Sequence, residues 1–324
     1  MLGRVAARRP HVLVVPTPGG SRVRIALEAA VAERRWVVAA SPADADLLVV
    51  AGSPGARLIA VADAVWHTVP APRARARVRF AGDVGRTLDA AAARLAAGSA
   101  ADGGDGDVPD DPPMADLADQ DRDGLALDAL HVPLGPVLPG WPPGLVVHAV
   151  LAGELITAAT AEVLDVRPGS PARADGLSPD TARLDVLARI LDLAGATTAA
   201  RRARRLRDGS STADGRREFG RRLARARVLA WTLRGIPLPR RGAGADGAAG
   251  DADVRTLVRR YGRELGTDAP RDPRTTPADA VAALVGLELG AARTALAALD
   301  PDTAQGATPT RRTAPGATYG PGRG

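Results

Sequence analysis

Several residue types are missing from this chain, and each absence excludes a class of chemistry. The 324-residue sequence contains no cysteine, which excludes disulfides, thiol nucleophiles and iron–sulfur or zinc sites built on cysteine. All 43 basic residues are arginine, so the chain has neither a Schiff-base lysine nor the lysine of a P-loop. The four histidines are scattered along the sequence, and a histidine-based metal site is not expected.

Aromatic residues are scarce, at 2% of the chain, although hydrophobic residues make up 45%. The core must therefore consist of alanine, leucine and valine, which favours close-packed helices and a buried parallel sheet. The longest uncharged run, residues 131–153, contains five prolines, a composition unsuited to a transmembrane helix. The apolar stretch near the N-terminus is too short for a signal peptide. The sequence thus predicts a cytoplasmic protein.

Residues 1–98 alternate short apolar runs with amphipathic segments. The runs predict strands at 11–15, 36–40, 47–51 and 78–80. The amphipathic segments predict helices that begin at Ser21 and that span 56–67 and 83–97. Apolar strands alternating with helices are typical of a parallel sheet covered on both faces, so we expect an α/β domain here.

The rest of the chain divides by composition. Residues 99–113 are rich in Ala, Gly, Asp and Pro and predict a disordered acidic linker. In 114–172, two apolar runs flank Ala152-Gly153 and predict an antiparallel hairpin. Residues 173–300 predict a helical bundle, with a helix from Ser178, a second over 219–233, a third over 253–265 and a fourth from Thr276 to about 299. Residues 301–324 predict a disordered tail.

Two stretches of the α/β region resemble a known family. Residues 40–52 are ASPADADLLVVAG, and residues 69–73 are VPAPR. They resemble the SPRxADxxxVxG … MPEPR pattern of the 20-kDa-type iron–sulfur subunit of respiratory complex I, a domain shared with the small subunit of NiFe hydrogenases. The resemblance covers about residues 10–82 and implies a flavodoxin-like α/β fold.

A later stretch is similar to a neighbouring subunit of the same complex. Residues 135–139 are GPVLP, residues 144–145 are GL, and residues 151–154 are LAGE. This resembles the start of the 49-kDa-type subunit, where a GPxHP…HG segment leads into a β-hairpin and then a helical bundle. The resemblance implies a shortened fusion of two adjacent subunits of the peripheral arm.

The chain also departs from that family where the family carries its redox chemistry. The 20-kDa-type subunit binds a cluster through four cysteines, two of them adjacent after the first strand, whereas residues 17–20 are TPGG here. The two histidines of the 49-kDa-type segment would fall near Leu138 and Pro143. Residues 165–168, DVRP, replace its charged continuation. The resemblance therefore implies the shape of the two subunits without the cluster, and it does not extend to quinone chemistry.

Two small clusters suggest ligand sites. Gly19, Gly20 and Ser21 lie between the first strand and helix, where α/β sheets bind ligands and a helix N-terminus attracts phosphate. The alternative is a tight turn with Ser21 as the N-cap. Asp44 and Asp46 offer two carboxylates for a divalent ion, or, alternatively, caps for backbone N–H groups. We expect no catalytic residue and no metal site.

Basic charge is concentrated in residues 196–242, with 14 arginines against three acids, and residues 101–130 carry ten aspartates against one arginine. The densest run is a candidate docking surface for a membrane or an acidic partner. A solvated helix face and a nucleic-acid-binding surface are the alternatives, but the run has no interleaved aromatic residue. The run consists of Arg201, Arg202, Arg204, Arg205 and Arg207.

Together these features predict a non-catalytic structural or accessory subunit of a complex I-like or hydrogenase-like membrane oxidoreductase. The implied partners are membrane-embedded oxidoreductase or antiporter-like subunits. The expected location is the cytoplasm, or the inner face of the cell membrane as a peripheral protein. Two alternatives stay open: an α/β nucleotide-binding enzyme that uses the crevice at Thr17–Ser21, and an arginine-rich nucleic-acid binder.

The absence of thiolates gives a first testable prediction. Protein purified anaerobically after co-expression with cluster-assembly machinery should contain no stoichiometric iron or acid-labile sulfide, because no cysteine is present to ligate a cluster. Metal analysis and the visible absorption spectrum check this. One cluster equivalent of iron per chain would contradict it.

Overall fold

The computed structural model describes residues 9–97, 129–166, 175–209, 211–239, 253–304 and 312–313. The strands are β1 (His11–Pro16), β2 (Val37–Val38), β3 (Leu47–Ala51), β4 (Ala74–Val78), β5 (Ala129–Leu134), β6 (Leu145–Ala152), β7 (Leu155–Val163) and β8 (Arg312–Thr313). The α-helices are α1 (Ser21–Glu33), α2 (Ala56–Thr68), α3 (Val84–Ala96), α4 (Pro179–Leu193), α5 (Thr197–Asp208), α6 (Ala213–Arg225), α7 (Arg227–Thr232), α8 (Val254–Glu264), α9 (Pro277–Ala282) and α10 (Leu289–Leu299). The predicted linker at 99–113 lies outside the described residues.

The first four strands form a parallel sheet in the order β2-β1-β3-β4. All five residues of β3 are buried, as expected for a central strand covered on both faces. Helices α1 and α3 cover one face with apolar side chains that include Leu27 and Leu88. Helix α2 covers the other face with Leu58 and Trp66. The prediction of an α/β architecture with a parallel sheet is confirmed.

The two edge strands differ from their predictions. The sequence predicts a fourth strand at 78–80, but β4 spans Ala74–Val78. The prediction missed most of this strand because Arg75 and Arg77 interrupt its apolar pattern. At a sheet edge these side chains can turn outward, and the Arg75 guanidinium lies 5.7 Å from the centre of the Trp66 ring. The strand predicted at 36–40 is reduced to two residues, Val37–Val38.

A second, antiparallel sheet has the order β5-β6-β7-β8. The predicted hairpin is formed by β6 and β7, and Gly153 adopts φ 60° at its turn, a conformation that glycine tolerates best. The sequence did not indicate β5, which contains Pro133. Because β5 is an edge strand, the missing N–H of this proline removes no necessary ladder bond.

The hairpin sheet and the helices share one apolar core. The fourth predicted helix, from Thr276 to about 299, is wrong as a single element, because the chain leaves helical geometry between α9 and α10. Gly286 has φ 88° there. The loop pairs with the hairpin instead: Ile156 donates its N–H to Leu287 O at 3.0 Å, and Gly286 donates to Ile156 O at 2.8 Å. Backbone pairing with β7 therefore replaces helix continuation.

The helix predicted over 219–233 is also divided. It begins earlier, at α6, where the Thr212 hydroxyl accepts a hydrogen bond from Gly215 N at 3.1 Å. It is interrupted at Ala226, whose ψ is 92°, before α7 begins. The interruption turns Leu229 and Leu233 into the core, whereas a straight helix would continue the direction of α6.

Part of the predicted tail belongs to the packed structure. Pro301, Asp302 and Thr303 are buried, and the Arg274 guanidinium lies 3.1 Å from the Asp302 carboxylate. Residues 312–313 pair with Ala158 and Ala159 of β7. The sequence analysis predicts a disordered tail over all of 301–324. A segment rich in Pro, Gly and Thr gives no indication of these contacts.

Helices α6 and α8 approach so closely that their glycines touch, which gives a stability prediction. A Cβ at Gly220 would overlap the carbonyl oxygen of Gly262, while one at Gly262 would lie 3.1 Å from Gly220 O. Gly220→Ala should therefore lower the free energy of unfolding by roughly 2–3 kcal/mol, and Gly262→Ala by less.

Gly290 in α10 is the matched control, because a Cβ there meets nothing within 4 Å. Gly290→Ala should stabilise the protein by about 0.5–1 kcal/mol through helix propensity. Urea unfolding of the three variants measures the differences. Equal effects at Gly220 and Gly290 would show that the close helix contact is not present.

Candidate functional site

The α/β domain is joined to the hairpin unit by a helix cap. Asp165 follows β7 with φ 61°, and its carboxylate accepts hydrogen bonds from Arg57 N at 3.0 Å and Leu58 N at 2.9 Å. These are unsatisfied N–H groups of the first turn of α2, where a negative charge is favourable. A Cβ at Gly55 would lie 2.6 Å from Asp165 Oδ1, so the glycine makes room for the cap.

Four charged side chains form a closed ring where α1 of the α/β domain meets α4 and α5. Arg24 Nη1 donates a hydrogen bond to Glu28 Oε1 at 2.6 Å, and Arg24 Nη2 donates one to Asp185 Oδ2 at 2.6 Å. Arg207 Nη1 lies 2.8 Å from Glu28 Oε2 and 2.6 Å from Asp185 Oδ1. The Arg207 side chain is 1% exposed and that of Asp185 is 6% exposed. This arrangement, called here the ionic ring, is thus a buried contact between the two parts of the chain.

The ionic ring stays charged despite its burial. Burial alone would raise the pKa of Asp185, but the guanidinium groups of Arg24, Arg189 and Arg207 outweigh it and hold this pKa well below its usual range. The pKa of Glu28 is likewise lowered, because Arg24 and Arg207 outweigh the cost of burial. Burial instead raises the pKa of the neighbouring Asp208. The two carboxylates of the ring are therefore anionic at neutral pH.

A cavity of about 650 Å³ lies beside the ionic ring, between the α/β domain and the helices. Val37, Val38 and Leu138 give it an apolar wall, and arginines of α4 and α5 line it as well. Arg189 is paired with Asp300 at 2.6 Å, and Arg204 is paired with Asp192. Arg189 and Arg204 are thus neutralised by acids of the helical part itself.

Part of the predicted ligand loop at Thr17–Ser21 is tightly packed. A Cβ at Gly20 would lie 2.6 Å from Thr17 Oγ1 and 2.8 Å from Ala51 O, and Pro18 packs against Gly144, where a Cβ would lie 2.5 Å from its Cγ. A Cβ at Gly19, whose φ is 70°, would meet no atom within 4 Å. The prediction that Ser21 is an N-cap is wrong: Gly20 is the N-cap, no side chain caps α1, and Ser21 is its first residue. Ser21 lines the cavity.

The predicted docking arginines lie in α5 but do not share one surface. Arg201 and Arg205 are exposed, and Arg202 is half-buried. Arg204 is paired with Asp192, and Arg207 belongs to the ionic ring. Arg207 is therefore a correction to the predicted docking set, because its guanidinium is buried among three acids and cannot reach an outside partner.

The predicted aspartate pair has a structural role. Asp46 Oδ2 accepts a hydrogen bond from His11 N at 2.8 Å, and Asp44 Oδ1 lies 2.7 Å from His11 Nδ1. In the described part of the chain, no group of three or more acidic or histidine side chains is placed to hold a metal ion. The described helices also include none with the length and apolar character needed to cross a bilayer.

The sequence analysis missed the ionic ring, although one signal was present. Asp185 interrupts the apolar run from Leu184 to Leu187, and all residues from Ala182 to Ala188 are buried. A charged residue in such a position requires a buried partner. The identity of the partner is not readable from the sequence, because Arg24 lies 161 positions away.

The chain matches no protein-family model, no curated protein and no solved structure.

The ionic ring predicts a large effect of a small substitution. Asp185→Asn should lower the free energy of unfolding by about 3 kcal/mol or more, because two buried guanidinium groups lose a shared anion. Asp214→Asn is the matched control: Asp214 pairs with Arg217 but is 89% exposed, so its loss should cost less than about 0.5 kcal/mol. Denaturant unfolding measures both, and similar effects would contradict the buried ring.

Asp185 should also determine part of the pH dependence of the free energy of unfolding. Because the pKa of Asp185 is lower in the folded chain than in the unfolded chain, its contribution to stability is complete above about pH 4 and is lost as the pH falls further. Wild type should therefore lose more stability between about pH 5 and pH 3 than Asp185→Asn does. Parallel pH profiles of the two proteins would contradict this assignment.

Proposed function

We propose that this protein is a non-catalytic accessory subunit of a complex I-like or hydrogenase-like membrane oxidoreductase. The strand order β2-β1-β3-β4 supports a flavodoxin-like origin of the α/β domain, because it equals the first four positions of the flavodoxin order. The resemblance of residues 40–52 and 69–73 to the 20-kDa-type subunit falls on this same domain.

One observation carries the proposal. The two segments that resemble neighbouring subunits pack directly on one another: Pro18 lies against Gly144, and Val146 joins the apolar cluster that contains Leu13 and Leu58. The ionic ring then ties α1 to α4 and α5, which follow the second segment. In the family these segments belong to separate chains, and here one chain holds both in contact. A covalently joined and ionically locked pair, without cysteine ligands, suits a scaffold that preserves the shape of the peripheral arm next to membrane-embedded subunits.

The two alternatives are less well supported. A nucleotide-binding enzyme would use the loop at Thr17–Ser21, but Gly20 fits tightly on Thr17, and Pro18 packs against Gly144. A nucleic-acid binder would use the arginine run of α5, but Arg204 and Arg207 are paired with acids within the chain.

The proposal is tested by isolating the tagged full-length chain from membranes of its native host in a mild detergent. We expect it to migrate on native gels with membrane-embedded oxidoreductase or antiporter-like subunits in fixed proportion. Recovery of the chain alone, or only with nucleic acid, would overturn the proposal.

A pair of variants tests whether the exposed arginines of α5 contribute to this attachment. Arg201→Gln/Arg205→Gln should weaken co-migration at low salt, since both side chains are exposed and each basic residue near an anionic surface contributes roughly 1 kcal/mol. Arg77→Gln/Arg79→Gln removes two exposed arginines from the α/β domain and should leave co-migration unchanged. If both pairs behave like wild type, α5 is not the attachment surface.

A further inference from the structure

The two most exposed large hydrophobic side chains in the described part of the chain lie together on one short helix. Val228 is 78% exposed and Trp231 is 77% exposed. They are three positions apart in α7, so both lie on the same face of that helix. The opposite side of the segment is anchored by Leu229 and Leu233, which are buried. The exposed pair is therefore held firmly in an outward position.

This apolar pair is surrounded by cationic charge. Arg227 lies four positions before Trp231, and Arg234 lies three positions after it. Arg225, Arg227 and Arg234 are all exposed, and none of them forms an ion pair with a described residue. From 219 to 239 the sequence contains five arginines and no acid. We call Val228, Trp231 and these three arginines the Trp231 patch.

We infer that the Trp231 patch docks the protein on an anionic phospholipid bilayer. Tryptophan is favoured at the membrane–water boundary, because its ring is amphipathic. Arginines beside it can extend their charged ends to lipid phosphates while their stems stay near the apolar phase. The negative surface of such a bilayer complements a segment that carries arginines and no acid.

The chemistry of the patch favours lipid over the other polyanions. Surfaces that bind single-stranded nucleic acid stack successive bases on several aromatic side chains, and the patch offers a single indole. The inference does not depend on the proposed function, because a bilayer without protein is sufficient to test it. A protein that does not bind vesicles would therefore not contradict the proposed function, and failure of the proposed function would not contradict vesicle binding.

The test uses the full-length chain and two kinds of vesicle, one of phosphatidylcholine alone and one with phosphatidylglycerol added. Wild type should co-sediment with the anionic vesicles at low salt and much less with the neutral ones. Bromine-labelled acyl chains should quench tryptophan fluorescence of wild type. They should quench Trp231→Phe much less, because Trp66 and Trp141 are buried in the protein and Trp36 is partly buried against the core of the α/β domain. Equal quenching of the two proteins would overturn the inference.

Variants separate the apolar contribution from the charge. Trp231→Ala should weaken binding to anionic vesicles about tenfold through lost apolar burial. The triple variant Arg225→Gln/Arg227→Gln/Arg234→Gln should weaken it about a hundredfold, because three positive charges are lost. Thermal unfolding should be unchanged in both, since these side chains are exposed. Phe80→Ala is the matched control, because Phe80 is 68% exposed and lies next to Arg79. This variant should bind the vesicles like wild type.

Three binding results would also overturn the inference. They are absence of binding of wild type to the anionic vesicles, equal binding of wild type and Trp231→Ala, and loss of binding in Phe80→Ala to the same extent as in Trp231→Ala. Retention of RNA by wild type without vesicle binding would assign the patch to nucleic acid instead.

Discussion

Two arginines and two acids from three helices meet where the α/β domain packs against the helical part of the chain. Leaving any one of these charges unpaired at this largely buried position would cost several kcal/mol. Each guanidinium bridges both carboxylates, so α1, α4 and α5 must be positioned together. The ionic ring therefore fixes how the two parts are oriented, and apolar packing alone would leave that orientation less well defined.

Two further contacts between the parts fit this constraint. Asp165 supplies a cap to α2 from the end of the hairpin, and Gly144 receives Pro18 of the loop after β1. Both depend on small residues at the contact, since Gly55 and Gly144 would collide with their partners if they carried a side chain. Apolar side chains contribute as well, since Val146 and Leu164 of the hairpin unit join the buried cluster that contains Leu58.

The local elements were predictable from the sequence where the apolar pattern was undisturbed. β3 and α2 follow continuous or helically spaced apolar residues, and their predicted limits agree with the structure to within one residue. Errors arose where tertiary contacts decided the local conformation. The loop at Gly286 pairs with β7 instead of extending a helix, β4 accepts arginines because it is an edge strand, and β8 lies in a segment of tail-like composition. The ionic ring was not predictable, because its partners come from distant parts of the chain.

The loop after β1 bears most directly on the proposed role. In the family that the sequence resembles, adjacent cysteines follow this strand and ligate a cluster. Here the Thr17 side chain is 1% exposed and fills the space between Gly20 and Gly52, both of which would overlap it if they had a Cβ. Pro18 then packs against Gly144 of the hairpin unit. A packed turn thus occupies this position and contributes to the contact between the α/β domain and the hairpin unit. In the family, the corresponding loop would hold a redox centre. For the proposed function, a loop at this position that forms an interface suits a scaffold better than an electron carrier.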